Sequence, residues 1–158
     1  MESNASSAME ADMTTDEEKK VTITVADIMT KRVIYLREED NLTIISKGME
    51  RYNLRHLPVV SDDKLMGIVT HRDLLRLAVS SIETSTPEGK MKQEKLDEST
   101  FVASVMTQNP VTVSPDTPIW EAARIIIDNK FGCLPVIDKD SKLVGIVTEH
   151  DFLKTLAH

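Results

Sequence analysis

The chain writes one seven-residue phrase twice, GIVTHRD at 67–73 and GIVTEHD at 145–151. The repetition is wider than the phrase. An offset of 77 aligns VADIMT (25–30) with VASVMT (102–107) and LPVV (57–60) with LPVI (134–137). One extra residue in the turn near 138–142 then moves the offset to 78, which aligns KLMGIVTHRDLL (64–75) with KLVGIVTEHDFL (142–153). An internal repeat constrains a fold more than any other sequence feature, because each copy must be one supersecondary unit. The organisation that follows is an acidic tail over 1–20, expected to be disordered, a first copy over 21–79, a polar linker over 80–100 and a second copy over 101–158. A unit of roughly 55 residues buries too little surface to be comfortably stable alone. Two such units are expected to pack their apolar faces together as one pseudo-symmetric body with two equivalent clefts.

Each copy reads as the same series of elements. A short β-rich piece comes first, VIYL (33–36) or VTV (111–113). A helix follows. In the second copy Ile119, Ala122, Ala123, Ile126 and Ile127 give the helical stripe, with Thr117 as its cap and Pro118 at the first helical position. In the first copy Asp40 is the expected cap, and Leu42, Ile45, Met49 and Tyr52 form the stripe. Two strands joined by a polar turn come next, then a second helix from His71 or Glu149. The order β-α-β-β-α, taken twice, defines an α/β (α+β) fold. The linker reads as a polar connection whose second half has helical character. Met29, Met49, Met66 and Met106 read as core filler, Cys133 as a small core residue, and Trp120 as a packing residue against the other copy or across a dimer seam.

Charge and hydropathy narrow the function classes. No apolar run approaches the roughly 18–20 residues that span a bilayer, and MESNASSAMEADMTTDEEKK has no apolar core for a secretory signal. One cysteine permits no intramolecular disulfide. A cytoplasmic protein is the expectation. The net charge is −7, and the first 20 residues hold six acids against two bases. That balance argues against nucleic acid or an anionic membrane as partner.

The repeated phrase supports two chemistries at once. Thr70 followed by Asp73, and Thr148 followed by Asp151, fit the capping pattern of a helix that starts where a strand ends. The same geometry suits a nucleotide. A helix N-terminus attracts anions, a threonine hydroxyl can meet a phosphate, and a carboxylate one turn in can accept from both ribose hydroxyls.

The ordered blocks ADIMT, LPVV, KLMGIVTHRD and then ASVMT, LPVI, KLVGIVTEHD resemble a tandem pair of CBS domains, a Bateman module. The resemblance covers nearly everything from about 22 to 157. It implies a pseudo-twofold pair of β-α-β-β-α units, adenosine-ligand sites in the clefts, frequent dimerisation, and a sensor of AMP, ADP, ATP or S-adenosylmethionine rather than a catalyst. Carried over by residue, it implies one cleft with Thr70 and Asp73 at the sugar-phosphate and Thr107, Pro110 and Val111 at the adenine. It implies a second with Thr148 and Asp151 at the sugar-phosphate and Thr30, Val33 and Ile34 at the adenine. Some family members place a His-Arg pair before the LP strand, facing phosphates. Here Arg55-His56 stands there in reversed order in the first copy, and the uncharged Gly132-Cys133 in the second. The Asp151 cleft is therefore the expected phosphate site, because arginine keeps its charge and suits bidentate contacts. His71, Arg72 and His150 lie near the phosphate ends.

HRDL (71–74) matches the start of a protein-kinase catalytic loop, but the asparagine that loop requires would fall on Ala78, and no glycine-rich loop is present. The histidines lack metal-ligand spacing. The expected function is regulatory: an adenine-nucleotide sensor, a homodimer, signalling to a separate effector protein, with no catalytic cofactor. The alternatives are an S-adenosylmethionine sensor and an assembly adaptor that kept the fold without a ligand.

Overall fold

A computed structural model describes residues 22–80 and 87–157; the acidic tail expected over 1–20 lies outside the described residues. In chain order the elements are α1 (Val25–Ile28), α2 (Leu42–Tyr52), β1 (His56–Ser61), β2 (Lys64–Thr70), α3 (His71–Ser80), α4 (Pro87–Ser99), α5 (Val102–Val105), β3 (Thr107–Gln108), α6 (Ile119–Asn129), β4 (Cys133–Ile137), β5 (Leu143–Thr148) and α7 (Glu149–Leu156). The hairpins β1–β2 and β4–β5 are antiparallel and occupy equivalent places in the two copies. Each carries a bulge at the same point. Met66 in β2 and Val144 in β5 are the extra residues, since Val60 pairs with Leu65 and Ile137 with Leu143.

The expected first strands shrink to single bridges. Leu36 lies beside Val59 and Val113 beside Val136, both parallel, and the rest of VIYL and VTV is extended chain without a ladder. The caps also move by one residue. Asn41, not Asp40, caps α2, its Oδ1 accepting from Ile44 N at 3.1 Å. Asp40 instead accepts from Arg37 N in the preceding turn. Pro118, not Thr117, is the cap residue of α6, and the Thr117 hydroxyl accepts from Ser114 N. Helix α4 accounts for the helical character of the linker's second half.

The two short helices α1 and α5 change the architecture. Val102 of α5 is buried in the first copy's core with Leu42, Ile45, Leu57 and Val69. Val25 of α1 is buried in the second copy's core with Ala122, Ile126, Leu134 and Val147. The copies have exchanged their leading helices, so each hydrophobic core is completed by the other repeat. A third cluster, Ile68, Cys133 and Ile146 with Val33 against it, joins the two hairpins at the middle. Their tips are tied as well, by Leu143 N to Asp63 O at 3.1 Å and Leu65 N to Ser141 O at 3.2 Å. The expected stripes are only partly buried. Leu42, Ile45, Met49, Ala122 and Ile126 are in the core, whereas Tyr52, Ile127 and Met66 are exposed. Cys133 is buried in the central cluster, and burial pushes its thiol up to about 12, so it is neutral.

Candidate functional site

The exchange of leading helices is what assembles the clefts. After α1, Thr30 bridges Ile146 in β5, its N–H donating at 2.9 Å and its carbonyl accepting at 3.0 Å. Two residues further along β5 stands Thr148, at the head of α7. The counterpart is β3, whose Thr107 pairs with Ile68 in β2, two residues before Thr70. Each Thr-x-x-Asp therefore has the entry segment of the other repeat beside it. Gly67 and Gly145 permit this approach. A Cβ at Gly67 would sit 2.6 Å from Met106 Sδ and 2.8 Å from Thr107 O, and one at Gly145 would overlap Met29 Sδ.

Both carboxylates close their helices. Asp73 Oδ2 accepts from Thr70 N at 2.8 Å and Thr70 Oγ1 at 2.7 Å. Asp151 Oδ2 accepts from Thr148 N at 2.9 Å and Thr148 Oγ1 at 2.8 Å. The other oxygens lie 4.0 Å from Arg76 and 3.7 Å from Lys154. The Asp151 side chain is 7% exposed and that of Asp73 18%, so the second carboxylate works in a drier setting, where a hydrogen bond is worth more. The first N–H of each helix is already engaged, His71 N by Arg55 O at 2.8 Å and Glu149 N by Gly132 O at 3.2 Å. An anion at either helix end would meet the later N–H groups of the turn.

An open cavity of about 430 Å³ reaches the start of β5 at Leu143 and Val144. Val33, Tyr35, Val60, Leu143 and Val144 form its apolar walls, and Lys31, Arg32, Lys142, Asp63 and Asp138 its polar rim. Strand β5 links the two parts: its first residues line the cavity and its last, Thr148, holds Asp151. Of the candidate residues Val33 and Ile34, Val33 lines the cavity, whereas Ile34 is exposed and Tyr35 takes the wall. Tyr35, Val60, Asp138 and Val144 line the cavity outside the candidate residues of the two clefts. Alternation along an extended segment puts 33 and 35 on one side, and that signal was available for Tyr35. In the other cleft Pro110 is half-buried, while Thr107 and Val111 are exposed.

His56 crosses between the repeats. Its ring sits where a side chain on Gly132 would go: a Cβ there would lie 2.7 Å from His56 Cε1. Burial holds the imidazole below the usual histidine pKa, against the opposing pull of Glu149. Its strand position faces Thr70, while its ring lies at the segment that leads to α7. Arg55, His71, Arg72 and His150 are exposed at the same end of the molecule. Gly132→Ala is expected to cost about 1–3 kcal/mol by overpacking against the His56 ring. A double variant with His56→Ala should recover most of that loss, because the glycine has ordinary negative-φ geometry. Denaturant unfolding of the two singles and the double closes the cycle.

This arrangement of two exchanged repeats with paired clefts can be placed by comparison. The family model for the CBS domain matches twice, at residues 25–80 and 102–158. The chain belongs to the CBS domain family, as a tandem pair. It is 33% identical over 135 residues to a CBS domain-containing protein of Dictyostelium discoideum, covering 85% of this chain and 91% of that one. It is also 33% identical over 129 residues to an inosine-5'-monophosphate dehydrogenase of Methanocaldococcus jannaschii, but spans only 22% of that enzyme. Among solved structures it is similar to CBSX2 in complex with AMP, with 29% identity, a TM-score of 0.71 and coverage of 85% and 96% of the two chains. A CBS domain pair in complex with 5'-methylthioadenosine and S-adenosyl-L-methionine superposes with a TM-score of 0.68 at 25% identity, covering 86% and 97% of the two chains. No helix among the described residues is long and apolar enough to cross a membrane.

Proposed function

We propose that the chain is a cytoplasmic regulatory module that binds AMP, ADP or ATP in the clefts between its repeats and signals to a separate effector protein. The observation that carries this reading is the crossed pairing. Thr30 bridges to the strand that ends at Thr148, and Thr107 pairs with the strand that ends at Thr70. A ligand seated there touches both repeats, so its binding energy biases the angle between them. The AMP complex of the similar CBSX2 supports the ligand class. The Asp151 cleft is the phosphate-preferring one in this reading, with the apolar cavity for the base, Asp151 for the ribose, and Arg55 and His56 beside the phosphates. In this reading the uncharged Gly132-Cys133 serves the Asp73 cleft, which then suits a ligand without phosphate charge. S-adenosylmethionine is therefore the second candidate, supported by the methylthioadenosine and S-adenosylmethionine complex of the similar pair.

The exposed side chains Leu75 and Val79 on α3 and Leu153 and Leu156 on α7 give the module apolar helix faces suited to pairing with a second copy. An adaptor without ligand is the competing reading, favoured by the way each Thr-Asp pair already satisfies its own helix end. Isothermal titration with AMP, ADP, ATP and S-adenosylmethionine, after stripping bound nucleotide, separates the two. Saturable binding of one or two of them is the expected result. Silence from all four with a folded protein would leave only the adaptor.

A further inference from the structure

The two segments that enter the clefts occupy equivalent places but are closed to different degrees. In the second repeat Thr107 and Gln108 both pair with β2, opposite Ile68 and Gly67, and Asn109 N then donates to Met66 O at 3.3 Å. In the first repeat the pairing stops after one residue, Thr30 opposite Ile146. The offsets of 77 and 78 make Lys31 the counterpart of Gln108, Arg32 of Asn109 and Val144 of Met66. Among the described residues, the equivalent bond from Arg32 N to Val144 O is not made. The cavity of about 430 Å³ opens at this place, with Lys31, Arg32 and Val144 in its lining.

The difference has a local cause. Asn109 sits at φ 48, in the left-handed region. Asparagine tolerates that region, whereas a long side chain such as arginine enters it at a cost, and Arg32 stays out of it. Charge acts in the same direction. If residues 31–33 closed on β5 as 108–110 close on β2, Lys31 and Arg32 would move towards Lys142 at the head of that strand. The rim holds these three cations against two acids, Asp63 and Asp138. Asp138 Oδ1 is already engaged by its own turn, accepting from Asp140 N and Lys142 N, both at 2.9 Å. Like charges resist that approach, and an anion held between them removes the resistance.

We propose that residues 31–33 are a strap over the cavity with an open and a closed form, and that a phosphate chain held by Lys31, Arg32 and Lys142 draws it shut. Residues 108–110 show the closed form of the same unit. The anion interacts more strongly with the gathered cations than with the separated ones, and that difference is what shifts the strap. The inference does not depend on the ligand reading, because a free phosphate chain and the tail of a nucleotide present the same chemistry to the rim.

The experiment is residue-resolved amide hydrogen exchange by NMR on the full chain, at fixed ionic strength, with pyrophosphate, ATP or adenosine added. Beside it stands a Lys31→Gln/Arg32→Asn variant, which gives the first entry segment the pair found in the second. Without additions, the Arg32 amide should exchange faster than the Asn109 amide. Pyrophosphate or ATP should slow Arg32 roughly tenfold, as its N–H gains a partner, and adenosine should not. In the variant, residue 32 should be protected without any addition. Protection by ATP alone would assign the anion to a nucleotide tail, and protection by both to the phosphate chain itself. An Arg32 amide that starts as slow as Asn109, or that neither anion slows, would overturn the proposal. So would equal protection by adenosine, which would assign closure to the base, and so would a variant whose residue 32 exchanges as fast as Arg32.

Discussion

Replacing Asp151 with alanine is expected to weaken adenosine-nucleotide binding on the order of 10- to 100-fold, the effect of losing hydrogen bonds between a charged acceptor and a ligand. The carboxylate lies at the end of the strand that lines the cavity, and only one of its oxygens is used by Thr148. The substitution also removes the acceptor that closes α7, which costs about 1–2 kcal/mol of stability. Asp73→Ala should cost a similar amount of stability, since Thr70 and Asp73 make the same pair of bonds. On the proposed reading, in which Arg55 and His56 serve the phosphates of the Asp151 cleft, its effect on nucleotide affinity should be smaller. Titration calorimetry and thermal denaturation on both variants test this together. Equal loss of stability with unchanged binding in the two proteins would reduce Thr-x-x-Asp to a repeated helix cap.

A methyl group at Gly67 is expected to destabilise the protein by about 2–3 kcal/mol, the upper range for forced overpacking, lowering Tm by roughly 5–10 °C. The new Cβ would lie 2.8 Å from Thr107 O. That carbonyl belongs to β3, which is held to β2 through Gly67–Gln108 and Ile68–Thr107. It cannot retreat without opening the seam between the repeats. Gly145→Ala is the informative comparison. The three atoms nearest its Cβ would all belong to the Met29 side chain, and an unbranched thioether can change rotamer. The cost there should stay below about 1.5 kcal/mol. Thermal and denaturant unfolding of the two alanine variants gives the order directly; a Gly145 variant as unstable as the Gly67 variant would contradict the backbone explanation.

Local sequence encodes the fold unevenly along the chain. The hairpins were legible because LPVV and KLMGIVT are compact β-rich runs separated by a polar turn, and both α3 and α7 begin where the Thr-x-x-Asp pattern places them. The one-residue cap shifts reflect competition between neighbouring side chains. Asp40 and Asn41 can both cap, and the turn from Arg37 claims Asp40. Ile127 and Tyr52 satisfied the apolar spacing of their helices yet face outward, because spacing defines a stripe about a helix axis and not how wide a neighbour covers it. Among the candidate site residues, Thr70, Asp73, Thr148 and Asp151 can be picked out because a single local motif holds each pair. Tyr35 follows Val33 by alternation, but Val60 and Val144 of the cavity wall come from separate segments that only the packed hairpins bring together.

The sequence by itself determined the duplication, the order of strands and helices within each copy, and the chemistry at the head of α3 and α7. Those features rest on contacts between residues a few positions apart, which a repeated local pattern encodes twice. Only the tertiary structure decided that α1 completes the second core and α5 the first. A four-residue helix such as VADI carries one buried side chain and no periodicity that names its partner. Its destination is set by which core lacks a Val-sized group and by which glycine lets its methionine approach, and both conditions exist only once the two hairpins stand side by side.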